Sequence, residues 1–349
     1  MTAVHQLLAA ATPADAVTSQ ALAWRDRYRS WGLDGTVVAE HVHPDLLGEV
    51  VRLAKAPAGF LDDGVVVLHY SVWSDAVDAA LSASSKRVLW YHNITPGKLL
   101  REFNPDVAAL CELGRQALPQ LKDRFDLHIA DSAFNAVDLR RAGMEDVVVV
   151  PLLLDVPSGL APLREPLRRP LIVTVGRVVP NKRIEDVIKV FALYRRYCAP
   201  EARLTVVGPD DGFVGYRQRL ELLGRSLAPG AVRFTGKISS GDRDGWYDSA
   251  SAYLCMSVHE GFCAPLIESL AHGTPVVARD AGAVAETVGA AGIVIDDADL
   301  AVFAEALNEA ASSQETREAL RLAAKSRLAS LAPASTEAVV KDLLAPLLA

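Results

Sequence analysis

The sequence lacks a long hydrophobic run and has no excess of basic residues. Its longest apolar stretch, Val147 to Leu154, is interrupted by Pro151 and is far shorter than the ~20 residues that cross a bilayer. Asp and Glu number 43 against 36 Lys and Arg, which gives a formal charge of -7 and disfavours a nucleic-acid partner. No basic segment precedes the short apolar stretch at the N-terminus, so we expect a cytoplasmic protein without a transmembrane segment.

Two further absences argue against a zinc site or disulfides and against dinucleotide chemistry. The four cysteines form no Cys-x-x-Cys pair and have no histidine at metal spacing, so we predict reduced packing residues at Cys111, Cys198, Cys255 and Cys263. Neither half has a Gly-x-Gly-x-x-Gly turn after its first strand, which argues against a nicotinamide-dependent dehydrogenase.

The sequence does contain alternating strand-like and helix-like segments over 349 residues, enough for about two domains. In the first half, the apolar runs are Val4–Leu8, Thr36–Ala39, Val65–His69, Arg87–His92, Leu127–Ala130 and Val147–Val150. In the second half, they are Leu171–Val175, Arg203–Val207, Val232–Thr235, Ala252–Met256, Pro275–Ala278 and Ile293–Ile295. Continuous apolar runs separated by amphipathic helices predict parallel strands covered on both faces. We therefore predict an α/β protein with two doubly wound, Rossmann-like domains.

The domain boundaries follow from proline content. The stretch from Asp155 to Pro170 is proline-rich and is predicted to be a linker over residues 156–170. It separates an N-terminal domain (1–155) from a C-terminal domain (171–335), and a final helix (336–349) is expected to pack back on the first domain. Ligands of open parallel sheets bind beyond the carboxyl ends of the strands, so a cleft between the domains is expected to hold the substrate.

A cationic loop follows the first strand of the second half. Gly176 permits a tight turn, and Arg177 and Lys182 place two cations just before a predicted helix at Ile184. This order indicates phosphate binding, although each cation by itself is also typical of a solvated loop.

A second dense segment runs from His259 to Glu268. Gly261 permits close backbone approach, and Pro265 suits the first turn of a helix whose amides would bind an anion. Glu260 and Glu268 flank that turn, where a carboxylate can accept hydrogen bonds from vicinal hydroxyls. Either glutamate alone is also typical of a helix surface.

These residues resemble the retaining glycosyltransferases of family four, the group 1 enzymes with the GT-B architecture of two facing Rossmann-like domains. The resemblance extends over nearly the whole chain. It is strongest in Gly176-Arg177 with Lys182, Val206–Gly208, Phe234–Lys237, Glu260–Glu268 and Gly273–Ala278.

The resemblance implies donor-binding roles in the second domain. Arg177 and Lys182 would hold the diphosphate of a nucleotide sugar, and Glu268 would bind the ribose. The backbone near Lys237 and Ile238 would meet the base, while Glu260 would hold the donor sugar. The remaining donor-binding residues would be Gly176, Gly261, Phe262, Cys263, Ala264 and Leu266.

The first domain is expected to contribute His92 and the acceptor site. By resemblance, His92 lies beside the anomeric carbon and acts through its ring or backbone, although a histidine can also simply cap a strand end. Tyr91, Asn93, Asp15 and Ala16 are the predicted acceptor contacts, with helix capping as the alternative for Asp15. The turn after the first strand, Thr12 to Thr18, lacks the glycine that many relatives have there.

The resemblance implies a hexosyltransferase of glycoconjugate biosynthesis that retains anomeric configuration and needs no metal or other cofactor. Asp297-Ala298-Asp299 has the spacing of a metal motif, but its place before a helix predicts capping. The expected partners are a nucleotide sugar donor and a hydroxylated acceptor, which is a sugar, glycan, lipid-linked or small molecule. Strong attraction to anionic lipid is not predicted, and weak peripheral membrane contact stays open. The alternatives are a GT-B epimerase, a phosphorylase-like enzyme or a non-catalytic sugar-nucleotide binder.

Overall fold

The computed structural model of the chain describes residues 3–13, 15–154, 161–296 and 299–349. The chain divides into two compact units. Unit 1 comprises Met1–Gly97, Asp106–Asp155 and Ala332–Ala349, and unit 2 comprises Lys98–Pro105 and Val156–Leu331.

Unit 1 is built on one parallel sheet. Its seven strands, within the described residues, are β1 (Val4–Ala11), β2 (Val37–Val42), β3 (Val51–Arg52), β4 (Val65–Tyr70), β5 (Lys86–Tyr91), β6 (Leu127–Ala130) and β7 (Val147–Val149). Their order across the sheet is β3-β2-β1-β4-β5-β6-β7. Every residue of β4 is buried, which explains its uninterrupted apolar sequence. The sequence did not predict β3, which has only two residues.

Helices connect these strands along the described part of the chain. They are α1 (Ala16–Ser30), α2 (Asp75–Ser82), α3 (Pro105–Ala117) and α4 (Ala133–Arg141). The sequence from Asp106 to Leu121 has the spacing of one continuous helix, but the α-helix ends at Ala117 and a 3-10 turn follows over Leu118–Leu121. Pro119 has no N–H to donate to the α-helical ladder, which is consistent with the tighter turn.

Unit 2 repeats the pattern around a second parallel sheet. Its six described strands are β8 (Leu171–Val175), β9 (Arg203–Val207), β10 (Val232–Phe234), β11 (Ala252–Cys255), β12 (Val276–Arg279) and β13 (Gly292–Ile295). Their order is β10-β9-β8-β11-β12-β13. The helices are α5 (Ile184–Tyr197), α6 (Val214–Leu227), α7 (Ser240–Ser249), α8 (Ala264–Ala271), α9 (Val284–Val288), α10 (Leu300–Ser312) and α11 (Gln314–Ser330).

The strand orders place a topological switch point in each unit. In unit 1, the order reverses at β1 and β4, and in unit 2 it reverses at β8 and β11. At a switch point, the loops that follow the two neighbouring strands diverge and leave a crevice beyond their carboxyl ends. The loops after β8 and β11 contain the two segments that the sequence analysis singled out in unit 2.

The last helix, α12 (Pro333–Leu348), belongs to unit 1. Val340 and Leu344 are buried in the same cluster as Trp24, Tyr28 and Trp90. At the edge of this cluster, the Arg27 and Glu337 side chains form an ion pair of 2.7 Å. The final residues of the chain therefore complete the core formed by its beginning.

The predicted linker lies partly outside the described residues, which omit 155–160. Its described part, residues 161–170, contains no regular strand or helix. Arg164 donates from Nη2 to the His272 carbonyl at 2.8 Å and to Thr274 Oγ1 at 2.9 Å. These bonds hold that part of the segment on unit 2.

Candidate functional site

The loop after β8 brings Gly176 against Lys182. Gly176 has a φ of 132°, and a Cβ built on it would lie 3.1 Å from Lys182 Cε. A side chain at Gly176 would therefore push Lys182 away. Arg177 is exposed and forms no ion pair with any residue that the structure describes, so its guanidinium is available to a ligand.

Lys182 forms an ion pair with Glu260, although 78 positions separate them in sequence. Lys182 Nζ donates to Glu260 Oε1 at 2.8 Å, and the two side chains are 17% and 10% exposed. Ser257 Oγ donates to the same oxygen at 2.6 Å. Burial lowers the pKa of Lys182, but the Glu260 carboxylate, the neighbouring Cys263 and Cys255 sulfurs and the hydrogen bond to Glu260 together more than offset this effect and raise the pKa above its ordinary value. Lys182 is therefore charged at neutral pH.

Backbone contacts hold the Glu260 loop in place. Val258 N donates to the Asn181 carbonyl at 2.9 Å, which ties the loop after β11 to the loop after β8. Gly282, with a φ of 63°, lets the loop after β12 approach so closely that a Cβ on it would lie 2.3 Å from the Glu260 carbonyl oxygen. Ala283 N donates to that same oxygen at 2.9 Å. Three loops at the carboxyl edge of the sheet thus fix Glu260.

The N-terminus of α8 lies directly after this loop. Cys263 is its N-cap residue with a left-handed backbone (φ 72°), and it makes no side-chain capping bond among the described residues. Pro265 occupies the first turn, as predicted, and the side chains of Phe262, Cys263 and Leu266 are buried. Thr287 Oγ1 donates to the Phe262 carbonyl at 2.6 Å and so fixes the backbone that leads into α8. Gly261 and Ala264 are half-buried at the same turn.

Glu268 lies inside α8 and is held by two residues that the sequence does not reveal. Tyr247 donates from its hydroxyl to Glu268 Oε2 at 2.8 Å, and Arg243 Nη1 lies 3.2 Å from Oε1. Burial, and then the Glu268 carboxylate, raise the pKa of Tyr247 well above its ordinary value, so its hydroxyl stays a donor. Both partners come from α7, whose sequence has no motif that would have identified them.

The predicted base-binding residues follow β10. Gly236 has a φ of 70° and forms an isolated antiparallel bridge with Gly208. Lys237 beyond it is exposed and Ile238 is half-buried. The two glycines therefore place this loop beside the loop that follows β9.

In unit 1, His92 follows β5 and its ring is part of a hydrogen-bonded chain. Its Nδ1 lies 2.8 Å from Asp131 Oδ2, and its Nε2 lies 2.7 Å from Nδ1 of His69, which is on β4. The His92 side chain is only 3% exposed, whereas the residue as a whole is half-buried. The solvent-accessible part of His92 is therefore mainly its backbone. Of the two predicted modes of action, these contacts favour the backbone one.

The tautomer of His69 follows from its hydrogen bonds and its burial. Gln6 donates from Nε2 to a backbone carbonyl, so its Oε1 accepts from His69 Nε2 at 2.8 Å. Burial and the neighbouring His92 hold the pKa of His69 well below its usual range, so His69 is neutral and its Nδ1 accepts. His92 Nε2 then donates to His69 Nδ1, and His92 Nδ1 faces Asp131, whose Oδ1 also accepts from Trp90 Nε1 at 2.8 Å.

The predicted acceptor residues of unit 1 are engaged within the fold. Tyr91 is fully buried, and its hydroxyl is 3.2 Å from Asp138 Oδ2. Asn93, with a φ of 71°, donates to the side chain of Asn135 at 2.8 Å. Asp15 caps α1 by accepting from Thr18 N at 2.9 Å, and Ala16 is the exposed first residue of that helix.

The capping prediction for the Asp-x-Asp motif is tested at one of its acids. Asp297 and Ala298 lie outside the described residues. Asp299 is the N-cap of α10 and accepts from Ala301 N at 2.9 Å, as predicted. Among the described residues, none of the helices is both long and apolar enough to cross a membrane.

Comparison with known sequences identifies a family and several relatives, each of which matches part of the chain. Residues 160–327 match the family model of the glycosyl transferases group 1. Over 146 residues, 41% of this chain, the sequence is 25% identical to O-antigen chain mannosyltransferase B of Escherichia coli. Over 232 residues, 62% of this chain, it is 29% identical to a D-inositol 3-phosphate glycosyltransferase of Frankia alni. The alignments span 37% and 57% of these relatives, which is less than two thirds of each.

Solved structures match the fold over nearly the whole chain. Anabaena Alr3699/HepE, crystallised with UDP and glucose, superposes with a TM-score of 0.77 at 16% identity over 99% of this chain and 100% of its own. WaaG, a glycosyltransferase involved in lipopolysaccharide biosynthesis, gives a TM-score of 0.73 at 15% identity over 98% and 99%. The predicted fold class, two Rossmann-like domains of the GT-B type, is confirmed.

Proposed function

We propose that this chain, whose residues 160–327 match the family model of the glycosyl transferases group 1, moves a hexose from a nucleotide diphosphate sugar to an acceptor hydroxyl. The observation that carries this proposal is the presence of two cations, an exposed Arg177 and a charged Lys182, in one loop at the switch point of unit 2. The N-terminus of α8, another positive group, follows the loop that contains the partner of Lys182.

These cations suit the leaving diphosphate. An arginine guanidinium binds phosphate oxygens in a bidentate manner, and Lys182 keeps two N–H donors beyond the one given to Glu260. When the bond between the sugar and the phosphate breaks, its electron pair goes to the phosphate oxygen, and preformed positive groups stabilise that charge. We propose that these positive groups stabilise the leaving diphosphate without a divalent metal or other cofactor.

Unit 2 also has candidate binding groups for the ribose, the transferred sugar and the base of the nucleotide sugar. Glu268, oriented by Tyr247 and Arg243, is proposed to accept from the ribose hydroxyls. Glu260 uses Oε1 for Lys182 and Ser257, which leaves Oε2 for the donor sugar. The backbone near Lys237 and Ile238 is proposed to meet the base.

The acceptor is proposed to bind to unit 1. The accessible backbone of His92, fixed by the buried ring, is proposed to contact the reacting sugar. In the proposed retaining reaction, the acceptor oxygen attacks the anomeric carbon on the face that the diphosphate leaves. Its proton passes to a phosphate oxygen, so no protein carboxylate acts as nucleophile.

Transfer is tested with a panel of UDP- and GDP-hexoses and hydroxylated acceptors, by measuring nucleoside diphosphate release and the product. Acceptor-dependent release and a product with the donor's anomeric configuration are expected, unchanged by EDTA. An isomerised sugar nucleotide would instead indicate an epimerase, a sugar phosphate formed with inorganic phosphate would indicate a phosphorylase, and binding without turnover would indicate a binder.

Arg177→Ala provides the residue-level test. Loss of one charged donor to the leaving group is expected to lower kcat/KM by on the order of 100-fold. Because Arg177 is exposed, its free energy of unfolding should change by less than about 0.5 kcal/mol. The control is Arg225→Ala, which removes the same charge from an exposed position on α6 and should leave activity unchanged. Equal activity of the two variants would overturn the phosphate assignment.

A further inference from the structure

Cys255 and Cys263 form no Cys-x-x-Cys motif, but they lie together beside the Lys182–Glu260 ion pair. Cys255 ends β11 and Cys263 caps α8, and they are 3% and 6% exposed. Their sulfur atoms and a carboxylate oxygen of Glu260 all lie within 4.8 Å of one another. Cys255 Sγ is also 3.4 Å from Ser257 Oγ.

The surroundings make the two thiols unequal. A hydrogen bond from Cys263 lowers the pKa of Cys255, and the Lys182 ammonium acts in the same direction, whereas burial and Glu260 oppose it. The same hydrogen bond, together with burial, raises the pKa of Cys263 well above its ordinary value. Cys255 therefore has the greater thiolate character, and Cys263 is a protonated thiol within reach of it.

We propose that Cys255 and Cys263 are a redox-sensitive dithiol, which hydrogen peroxide converts to a disulfide that disables the donor site. The Cys255 thiolate attacks one peroxide oxygen, the O–O bond breaks, and the departing hydroxide takes up a proton to form water. The Cys263 sulfur, losing its proton, then attacks the sulfenic sulfur of Cys255. The S–O bond breaks, a second water leaves, and the S–S bond forms, so one peroxide is reduced by two electrons.

Bond formation is expected to move Cys263 more than Cys255. Cys255 belongs to a strand paired on both sides, with β8 and β12, whereas Cys263 lies in a left-handed turn at a helix end. A sulfur–sulfur bond of about 2 Å would draw that turn inward. The turn holds Glu260 and the amides of Phe262 to Ala264, so the effect on turnover rests on the proposed function.

A divalent metal is the alternative ligand for these atoms. Two sulfurs and a carboxylate are suitable ligands for Zn²⁺. However, the Lys182 ammonium lies 2.8 Å from the same carboxylate and would repel an added cation. The structure therefore favours the dithiol, and zinc binding becomes an outcome of the test.

The test uses the full chain treated with hydrogen peroxide, followed by alkylation, intact mass and peptide mapping. We expect loss of two hydrogen atoms, a Cys255–Cys263 cross-linked peptide, and full reversal by dithiothreitol. Cys198→Ser, at an exposed lone thiol, is the matched control and should still form the cross-link, whereas Cys255→Ala should not. Oxygen addition without a cross-link, or stoichiometric Zn²⁺ that survives dialysis and blocks alkylation, would overturn the dithiol assignment.

Activity is measured on the same samples. Oxidation should lower kcat/KM by on the order of 100-fold in the parent and in Cys198→Ser. In Cys255→Ala, peroxide should leave the variant's own activity unchanged. A cross-link that forms without loss of turnover would overturn the switch. A cross-link in a protein that transfers no sugar would overturn the proposed function and leave the dithiol standing.

Discussion

Arg177 and Lys182 share a loop but have different surroundings. From the sequence, replacing either residue is expected to affect turnover much more than stability. The structure keeps that expectation for the exposed Arg177 and changes it for Lys182, whose ammonium neutralises a largely buried carboxylate. Removing one member of such a pair leaves the other charge uncompensated.

We therefore predict that Lys182→Met lowers the free energy of unfolding by about 3 kcal/mol, since Glu260 is left buried and charged. Adding Glu260→Gln should recover part of that loss, because no charge then remains to be compensated. The control is Lys189→Met, which leaves its partner Asp186 paired with Arg183 and Arg279 and should cost less than about 1 kcal/mol. Urea unfolding measures the free energy of unfolding of each variant. Additive losses in the double variant, Lys182→Met with Glu260→Gln, would contradict the ion pair.

The tautomer of His69 gives a second prediction at this scale. In ¹⁵N-labelled protein at neutral pH, we expect His69 to be neutral with its proton on Nε2, because Gln6 Oε1 accepts there and burial lowers the pKa of His69. Long-range ¹H–¹⁵N spectra measure the protonation of each nitrogen. In Gln6→Leu, the acceptor at Nε2 is gone, and this preference for one tautomer should weaken. A proton on Nδ1 of His69 in the parent protein would show that the assignment is incorrect.

At the scale of elements, loops after three strands converge on Glu260, and Gly282 is the position that tests them. We predict that Gly282→Ala lowers both stability and turnover, because its Cβ would meet the Glu260 carbonyl at 2.3 Å. Gly230→Ala is the matched control, since Gly230 has a similar φ of 68° but has no atom within 4 Å of a built Cβ among the described residues. It should cost about 1 kcal/mol from backbone strain alone and leave turnover unchanged. Equal losses in the two variants would refute the loop contact.

The elements themselves were largely predictable, because strand and helix patterns are local. The runs at Leu171–Val175 and Arg203–Val207 are observed as β8 and β9 with the predicted bounds, and Ile184–Tyr197 is observed as α5. Each has a continuous apolar run or a helical period that needs no distant partner to be recognised. The two-residue strand β3 has no such pattern, and it exists only because β2 offers it an edge.

At the scale of the whole molecule, the ends of the chain share one core. Leu344 on α12 is 2% exposed and lies in the cluster of Trp24 and Tyr28. We predict that Leu344→Ala destabilises unit 1 by about 3 kcal/mol and leaves unit 2 unaffected. Hydrogen exchange should accelerate in α1 and β5 but remain unchanged in α5. Leu322→Ala, at an exposed position on α11, is the control, and faster exchange in both units would contradict the division.

The sequence by itself determined the two doubly wound sheets and the approximate place of the loops that we propose to bind the donor. A βα unit is encoded within a few tens of residues, and Gly176, Arg177, Lys182 and Glu260 follow strand ends that can be recognised locally. Only the tertiary structure decided that Lys182 neutralises Glu260, that both nitrogens of His92 are occupied, and that Cys255 meets Cys263. These contacts depend on which strands become neighbours and how the intervening loops turn, and that is set by packing of the whole sheet.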